Sequence, residues 1–261
     1  QFEQTQKVIQ DSELQVDSIL KKEIHLPGLA VALVSRDEVL WAKAFGTRDA
    51  TRREKADTNT LYGLLSVSKT LTVTGLMAAV QEGLIDLDVP IRTYLPGFRL
   101  NSRFPEDPMS VITIRHLLSM TSGLTHDAPV GNNADPYTPS YEDHIQSISR
   151  TWLRFRTGER AEYSNLGVEL SAYILEKITH RPFTEYVQKK VLDPLGMRRT
   201  TWDIDRIRKD ENRAVGNNRN FERVPLENPM LAPGGAYSSI SDMAAFVRFQ
   251  LNDGRVDGRP V

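Results

Sequence analysis

The sequence has no cysteine, which removes a disulfide scaffold, a thiol nucleophile and cysteine-ligated zinc from consideration. Long apolar runs are also missing. The longest, Leu29-Ala-Val-Ala-Leu-Val34, is far short of the ~20 residues that a membrane-spanning helix needs. Net charge is close to nil, −1 at pH 7, and no basic stripe stands out, so nucleic acid is not an expected partner. Neither a G-x-S-x-G elbow nor an H-E-x-x-H helix occurs, which argues against an α/β-hydrolase and against a zinc hydrolase. His126 and His144 lie in loop-rich sequence without ligand spacing. No metal and no cofactor is expected.

What is present is an ordinary globular composition, 39% hydrophobic and 26% charged over 261 residues, enough for one domain or two closely packed lobes. The chain opens at Gln1 without an initiator Met, and its N-terminus is expected to have been trimmed. Apolar residues at helical spacing predict an amphipathic helix over 2–22. After Pro27-Gly28, two apolar runs at 29–35 and 39–45 flank Arg36-Asp37-Glu38 and predict a β-hairpin. Helices are predicted over 66–82, with Gly83 as its stop, and over 113–120, 165–179 and 183–191. Ser239-Ile-Ser-Asp242 reads as a capping box opening a helix to about residue 251, closed by Gly254. Residues 97–111 and 125–142 show little periodicity and read as long loops of the kind that shape a binding site. Only a two-stranded sheet is visible, and an isolated hairpin is marginal in water. Further strands are therefore expected, either beyond residue 261 or from a second chain that completes the sheet.

The chemistry concentrates in two short motifs. Tyr62-Gly-Leu-Leu-Ser66-Val-Ser-Lys69 contains S-x-x-K at the start of a predicted helix, a spacing that places Ser66 and Lys69 one turn apart on one face. Serine needs a neighbouring base to become a useful nucleophile. A lysine serves as that base when burial or the positive end of a helix dipole favours its neutral form. The tetrapeptide alone decides nothing, because Ser18-Ile-Leu-Lys21 matches it too. That copy sits near the end of the N-terminal amphipathic helix without a companion motif, and Ser18 is read as a surface residue. Tyr163-Ser-Asn165 is the one Y-x-N of the sequence. A tyrosine beside a cationic lysine can shuttle a proton to a leaving group, and Asn165 offers both a donor and an acceptor to a substrate amide. Taken by itself, Y-x-N reads as readily as a half-buried aromatic followed by a helix cap.

Together with longer stretches, these motifs resemble the serine β-lactamase and penicillin-binding-protein superfamily, closest to class C β-lactamases and their esterase and DD-peptidase relatives. The stretches are Gly83-Leu-Ile-Asp-Leu-Asp88 with Tyr94-Leu-Pro96, Ile114-Arg-His-Leu-Leu-Ser-Met-Thr-Ser-Gly-Leu124, Asp193-Pro-Leu-Gly-Met197 and Pro233-Gly-Gly-Ala-Tyr-Ser-Ser-Ile-Ser-Asp242. The resemblance implies an α/β lobe, with an antiparallel sheet flanked by helices, and a mostly helical lobe, the active site lying between them. Residues 1–64 would begin the α/β lobe, 65–230 would form the helical lobe with the active-site motifs, and 231–261 would return toward the first, incomplete. By the same resemblance Ser66 is the acylated nucleophile, Lys69 its hydrogen-bonded partner, Tyr163 the general base or proton shuttle, and Asn165 a substrate-binding residue. The backbone N–H of Ser66 would be one oxyanion donor. Asp86 and Asp88 would serve a structural loop, where aspartates satisfy turn amides.

The family's third motif, K-T-G or H-x-G on a late strand, does not occur. Arg156-Thr-Gly158 stands where relatives have a Pro-Gly turn and is read as that turn. The expected C-terminal strands and the expected third motif thus share one gap. The implied function is a serine hydrolase that acts through a Ser66 acyl-enzyme on ester, amide or β-lactam carbonyls, with a small-molecule or peptide acyl substrate and esterase or D-amino-acid peptidase character. The alternative is a non-catalytic scaffold or an acylation sensor on the same fold. Localisation is open, the resemblance leaning toward an exported or periplasmic protein.

Overall fold

The computed structural model describes residues 2–22, 26–132, 139–217, 226, 228, 230–256 and 258–260. In chain order the first elements are α1 (Phe2–Lys22), β1 (Gly28–Val34), β2 (Val39–Asp49), β3 (Glu54–Lys55), β4 (Tyr62–Gly63) and α2 (Ser68–Gln81). Then come α3 (Pro108–Val111), α4 (Ile114–Leu118), α5 (Tyr141–Ile148), α6 (Asn165–Thr179) and α7 (Phe183–Val187). The last are α8 (Asp193–Leu195), α9 (Ile204–Lys209), α10 (Leu231–Gly234), β5 (Tyr237–Ser238), α11 (Ile240–Leu251), β6 (Arg255–Val256) and β7 (Arg259–Pro260). Every pair of named strands is antiparallel. The chain divides into two compact units, residues 1–63, 194–226 and 237–261 in one and residues 64–193 and 227–236 in the other.

In the first unit the predicted hairpin forms in register, with Gly28 opposite Gly46 and Leu33 opposite Trp41. Ser35 closes it, its hydroxyl oxygen accepting from the N–H groups of Asp37 and Glu38. A side chain at either Gly28 or Gly46 would meet the other strand's backbone, so this close approach depends on glycine. The sheet has three strands, order β1-β2-β3, not the two read from sequence. β3 is only two residues long, below what periodicity can register. Its turn is organised by Asp49, whose carboxylate accepts from the N–H of Thr51 at 2.8 Å and of Arg52 at 3.2 Å. α1 runs as predicted, and its Glu13 accepts from Trp41 Nε1 and from Lys43 Nζ on β2. Ser18 lies half-buried on α1. α11 opens at Ser239, whose hydroxyl oxygen accepts from Asp242 N–H. The Asp242 carboxylate does not return to the cap but accepts from the N–H groups of Arg199 and Thr200, so half of the capping box is used elsewhere.

The second unit is built on helices. α2 buries Leu71, Thr72, Gly75, Leu76, Ala78 and Ala79, and Gly75 allows α7 to approach. A Cβ there would lie 2.7 Å from Val187 Cγ2. α6 is buried along most of its length, and its Gly167 lies against the α4 backbone, where a Cβ would be 2.5 Å from the Leu117 carbonyl oxygen. The predicted helix at 113–120 is shorter, capped by Thr113 and ended by Met120 at φ +63°. The predicted helix at 183–191 is α7 followed by a π-helical turn, Gln188–Leu192, a local widening that a 3.6-residue period does not foresee. The two supposed loops carry structure: α3 lies within 97–111, capped by Asp107 with Pro108 in its first turn, and α5 begins at Tyr141 behind a Ser140 cap. Both helices are short and start from caps, not from an apolar stripe. Residues 133–138 of the second stretch are outside the described residues.

Gly167→Ala is expected to cost about 1–3 kcal/mol by forcing α4 and α6 apart. Gly83→Ala meets no neighbour and is expected to cost only about 1 kcal/mol for its positive φ. Urea unfolding of both variants against the parent measures the difference.

Candidate active site

Ser66 stands in a 3-10 turn, Leu65–Val67, immediately before α2. The sequence reading placed it on the helix itself; the helix proper starts two residues later. Leu65 holds φ +46°, a region that is costly for a residue with a side chain. This turn leaves Ser66 exposed. Lys69, by contrast, is on the buried side of the first turn of α2, 8% exposed. Its Nζ donates to Ser66 Oγ at 3.1 Å and to the Pro233 carbonyl at 3.0 Å. The neighbouring Ala232 carbonyl accepts from Thr72 Oγ1 at 2.8 Å, so α10 clasps α2 at two successive carbonyls.

Tyr163 OH lies 2.7 Å from Ser66 Oγ, and its ring lies 4.8 Å from Lys69 Nζ. The three groups that sequence singled out therefore meet around one hydroxyl. The backbone on either side of Tyr163 is fastened. Glu162 N–H donates to the Met120 carbonyl, Ser164 Oγ to the Thr125 carbonyl, and Asn165 N–H to the His126 carbonyl. Ser164, not Asn165, takes the helix-cap position of α6. The turn at Arg156-Thr-Gly158 is present, with Gly158 at φ +82°.

Asn165 is only 6% exposed. Its Nδ2 donates to Asp127 Oδ1 at 2.8 Å and to Met230 Sδ at 3.3 Å. The other oxygen of Asp127 lies 2.7 Å from His126 Nδ1, and the His126 ring packs on Tyr163 with centroids 5.3 Å apart. Asp127 thus ties the Asn165 amide to the imidazole that lines the tyrosine. Sequence reasoning passed over His126 and Asp127 for lack of a metal-type spacing. Their adjacency to Thr-Ser-Gly-Leu124 was the available signal. Asp88, read as a turn residue, pairs through both oxygens with Arg115, while Asp86 accepts the Asp88 N–H. The Arg115 guanidinium holds the Asp88 carboxyl below its ordinary range. Among the described residues no group of three or more His, Asp or Glu side chains is arranged to hold a metal ion. Nor is any helix among them long and apolar enough to cross a membrane.

A nucleophile-type hydroxyl touched by an amine and a phenol, on an S-x-x-K turn beside a Y-x-N turn, agrees with what comparison finds. The Beta-lactamase family model matches residues 16–261. The chain belongs to the beta-lactamase family. Protein flp of Staphylococcus aureus strain MW2 is 27% identical over 254 residues, covering 94% of this chain and 50% of that protein. Beta-lactamase-like protein 2 of Dictyostelium discoideum is 28% identical over 266 residues, covering 96% and 47%. The chain spans about half the length of these curated relatives. Among solved structures, the octameric penicillin-binding protein homologue from Pyrococcus abyssi superposes with TM-score 0.78 at 26% identity, over 95% of this chain and 57% of that one. The D-alanine carboxypeptidase AmpC from Burkholderia cenocepacia shares the fold, with TM-score 0.77 at 21% identity, over 100% and 67%. Family and fold together support activity of the serine hydrolase type.

Replacing Asp127 by Ala would strand the Asn165 amide and free His126. A loss of about 1.5–3 kcal/mol is expected for hydrogen bonds to a charged group, to be checked by chemical unfolding of Asp127→Ala beside the parent chain.

Proposed function

We propose that Ser66 is the acylated nucleophile of a serine hydrolase acting on ester, amide or β-lactam carbonyls. The observation that carries the reading is the exposed Ser66 hydroxyl held at hydrogen-bond distance by both Lys69 Nζ and Tyr163 OH. Ser66 Oγ attacks the carbonyl carbon while its proton passes to the Lys69–Tyr163 pair. The carbonyl oxygen takes the electron pair and is met by the backbone N–H of Ser66. As the tetrahedral intermediate collapses, the bond to the leaving group breaks and Tyr163 returns the proton to it, leaving an ester on Ser66. Water then attacks that ester by the same route in reverse, releasing the acid and restoring the hydroxyl. Asn165, its amide nitrogen fixed by Asp127, orients its carbonyl oxygen toward a substrate N–H. Leu65 and Val67, both exposed beside Ser66, offer apolar surface to an acyl chain, which supports a general esterase or peptidase over a dedicated β-lactamase.

Incubation with a fluorophosphonate is expected to add one label at Ser66, seen by intact mass and peptide mapping, and none to Ser66→Ala. Turnover of p-nitrophenyl acetate or butyrate is expected to follow the same pattern. Folded parent protein that takes no label would turn the reading toward a scaffold on this fold. Lys69→Ala and Tyr163→Phe are each expected to slow acylation by about 10²–10⁴. If Lys69→Ala acylates at the parent rate, the proton goes to Tyr163 alone.

A further inference from the structure

We propose that Glu169 is a positioning residue of this site, a neutral carboxylic acid that sets Lys69 by holding the turn 231–234; this rests on the Ser66–Lys69 reading above. Glu169 lies one helical turn beyond Asn165 on α6 and has no exposed surface. Its Oε1 accepts from the Ala232 N–H at 3.5 Å, at the first turn of α10. The carbonyls at the far side of the same short segment, Ala232 and Pro233, are the ones that receive Thr72 and Lys69. Glu169 therefore holds the N–H side of the segment that fixes where the Lys69 amine sits, 3.1 Å from the Ser66 hydroxyl, while Asn228 Nδ2 donates to the Gly234 carbonyl at its end.

The surroundings select the acid form. The groups facing Glu169 are Lys69 from α2, His144 and Tyr141 from α5, and Glu176 two turns along α6. Among the described residues no side-chain cation is bonded to it, and its Oε2 has no hydrogen-bond partner. A buried carboxylate left in that condition is far costlier than a buried acid. His144 is the nearest titratable side chain. Its Nδ1 lies 2.7 Å from the Val130 carbonyl and so carries the proton, which leaves Nε2 as a lone pair. That Nε2 has no partner either and lies 4.0 Å from Glu169 Oε1. The Ala232 N–H and this lone pair both face Oε1, so a carboxylate would leave Oε2 charged, buried and unmet, and the acid form removes that charge. Burial pushes the Glu169 carboxyl well above the usual range and depresses the His144 imidazole, each toward its uncharged form.

The sign of the pH dependence follows. Above the unfolded carboxyl value of about 4.3, the folded chain keeps a proton on Glu169 that the unfolded chain has released, so stability falls as pH rises toward the folded value. His144 works at the acid end: its folded value is depressed, and its contribution is lost as pH falls below about 6.5. Above pH about 6.5 the histidine is past its own window, so there the difference between Glu169→Gln and the parent reports the carboxyl.

The test uses Glu169→Gln, which keeps shape and both hydrogen-bonding functions without a charge, and Glu169→Leu, which keeps bulk alone. Ester hydrolysis across pH, thermal unfolding across pH and amide exchange at residues 231–234 are measured for both. Glu169→Gln is expected to keep kcat/KM within about threefold of the parent with an unmoved pH profile, and to gain stability over the parent as pH rises. Glu169→Leu is expected to lose about 10²-fold in kcat at little change in KM, as misplacement of a reacting group does, and to exchange faster at residues 231–234. A pH profile displaced by about one unit or more in Glu169→Gln, or a stability difference that does not grow with pH, overturns the neutral acid. Parent-like kcat and exchange in Glu169→Leu overturn the positioning role. Hydrolysis surviving in Ser66→Ala would defeat the hydrolase reading instead, and the exchange and unfolding measurements would still decide the state of Glu169 and its hold on the turn.

Discussion

Lys69 brings an amine to a place almost closed to water, and the second unit is arranged around giving that amine something to bond. A buried ammonium or amine without partners would cost several kcal/mol. Here the Pro233 carbonyl and the Ser66 hydroxyl meet it on two sides, and the Tyr163 ring covers a third. Each partner is then held by something else: Pro233 by the α10 turn, Ser66 by the 3-10 turn with its strained Leu65, and Tyr163 by the bonds of its neighbours to Met120, Thr125 and His126. The same contacts that satisfy the lysine also deliver it to the hydroxyl, so the stability of this region and its chemistry share one set of atoms.

Around that centre the supporting residues form two layers with different chemistry. On the tyrosine side, Asp127 is charged and partly exposed, and it links Asn165 with His126. On the far side of α10, Glu169 and His144 are buried and Tyr141 is half-buried, and all three have a buried atom without a hydrogen-bond partner among the described residues. Such atoms are rare in native proteins, and of the three residues Glu169 is the one bonded to the turn that receives Lys69. The glycines have a related part. Gly75 lets α2 close on the Val187 side chain of α7, and Gly167 lets α6 close on the α4 backbone; α2 and α6 are the helices that carry Lys69 and Glu169.

The two motifs were legible because their geometry is local. Ser66 and Lys69 are three residues apart, so any helical turn brings them together, and Tyr163-Ser-Asn165 needs only a helix start to project its tyrosine. The hairpin and most of the long helices were legible for the same reason, since apolar periodicity records which face is buried. β3 and α3 escaped because two or four residues hold no period, and the π-helical turn after α7 escaped because it departs from 3.6. Glu169 stood in plain view on an apolar stretch of α6, but a charged residue there reads equally well as the exposed edge of an amphipathic helix.

By itself the sequence determined the family, the mixed helical and antiparallel character of the fold, and the residue types that meet around Ser66, because each is written in spacings of a few residues. The tertiary structure decided which of two S-x-x-K copies meets a tyrosine. It also decided which carbonyl, 164 residues away, receives the lysine, and that Asn165 is bound to Asp127 before any substrate arrives. Those are contacts between distant segments, made by burial and shape, and no local period in the chain encodes them.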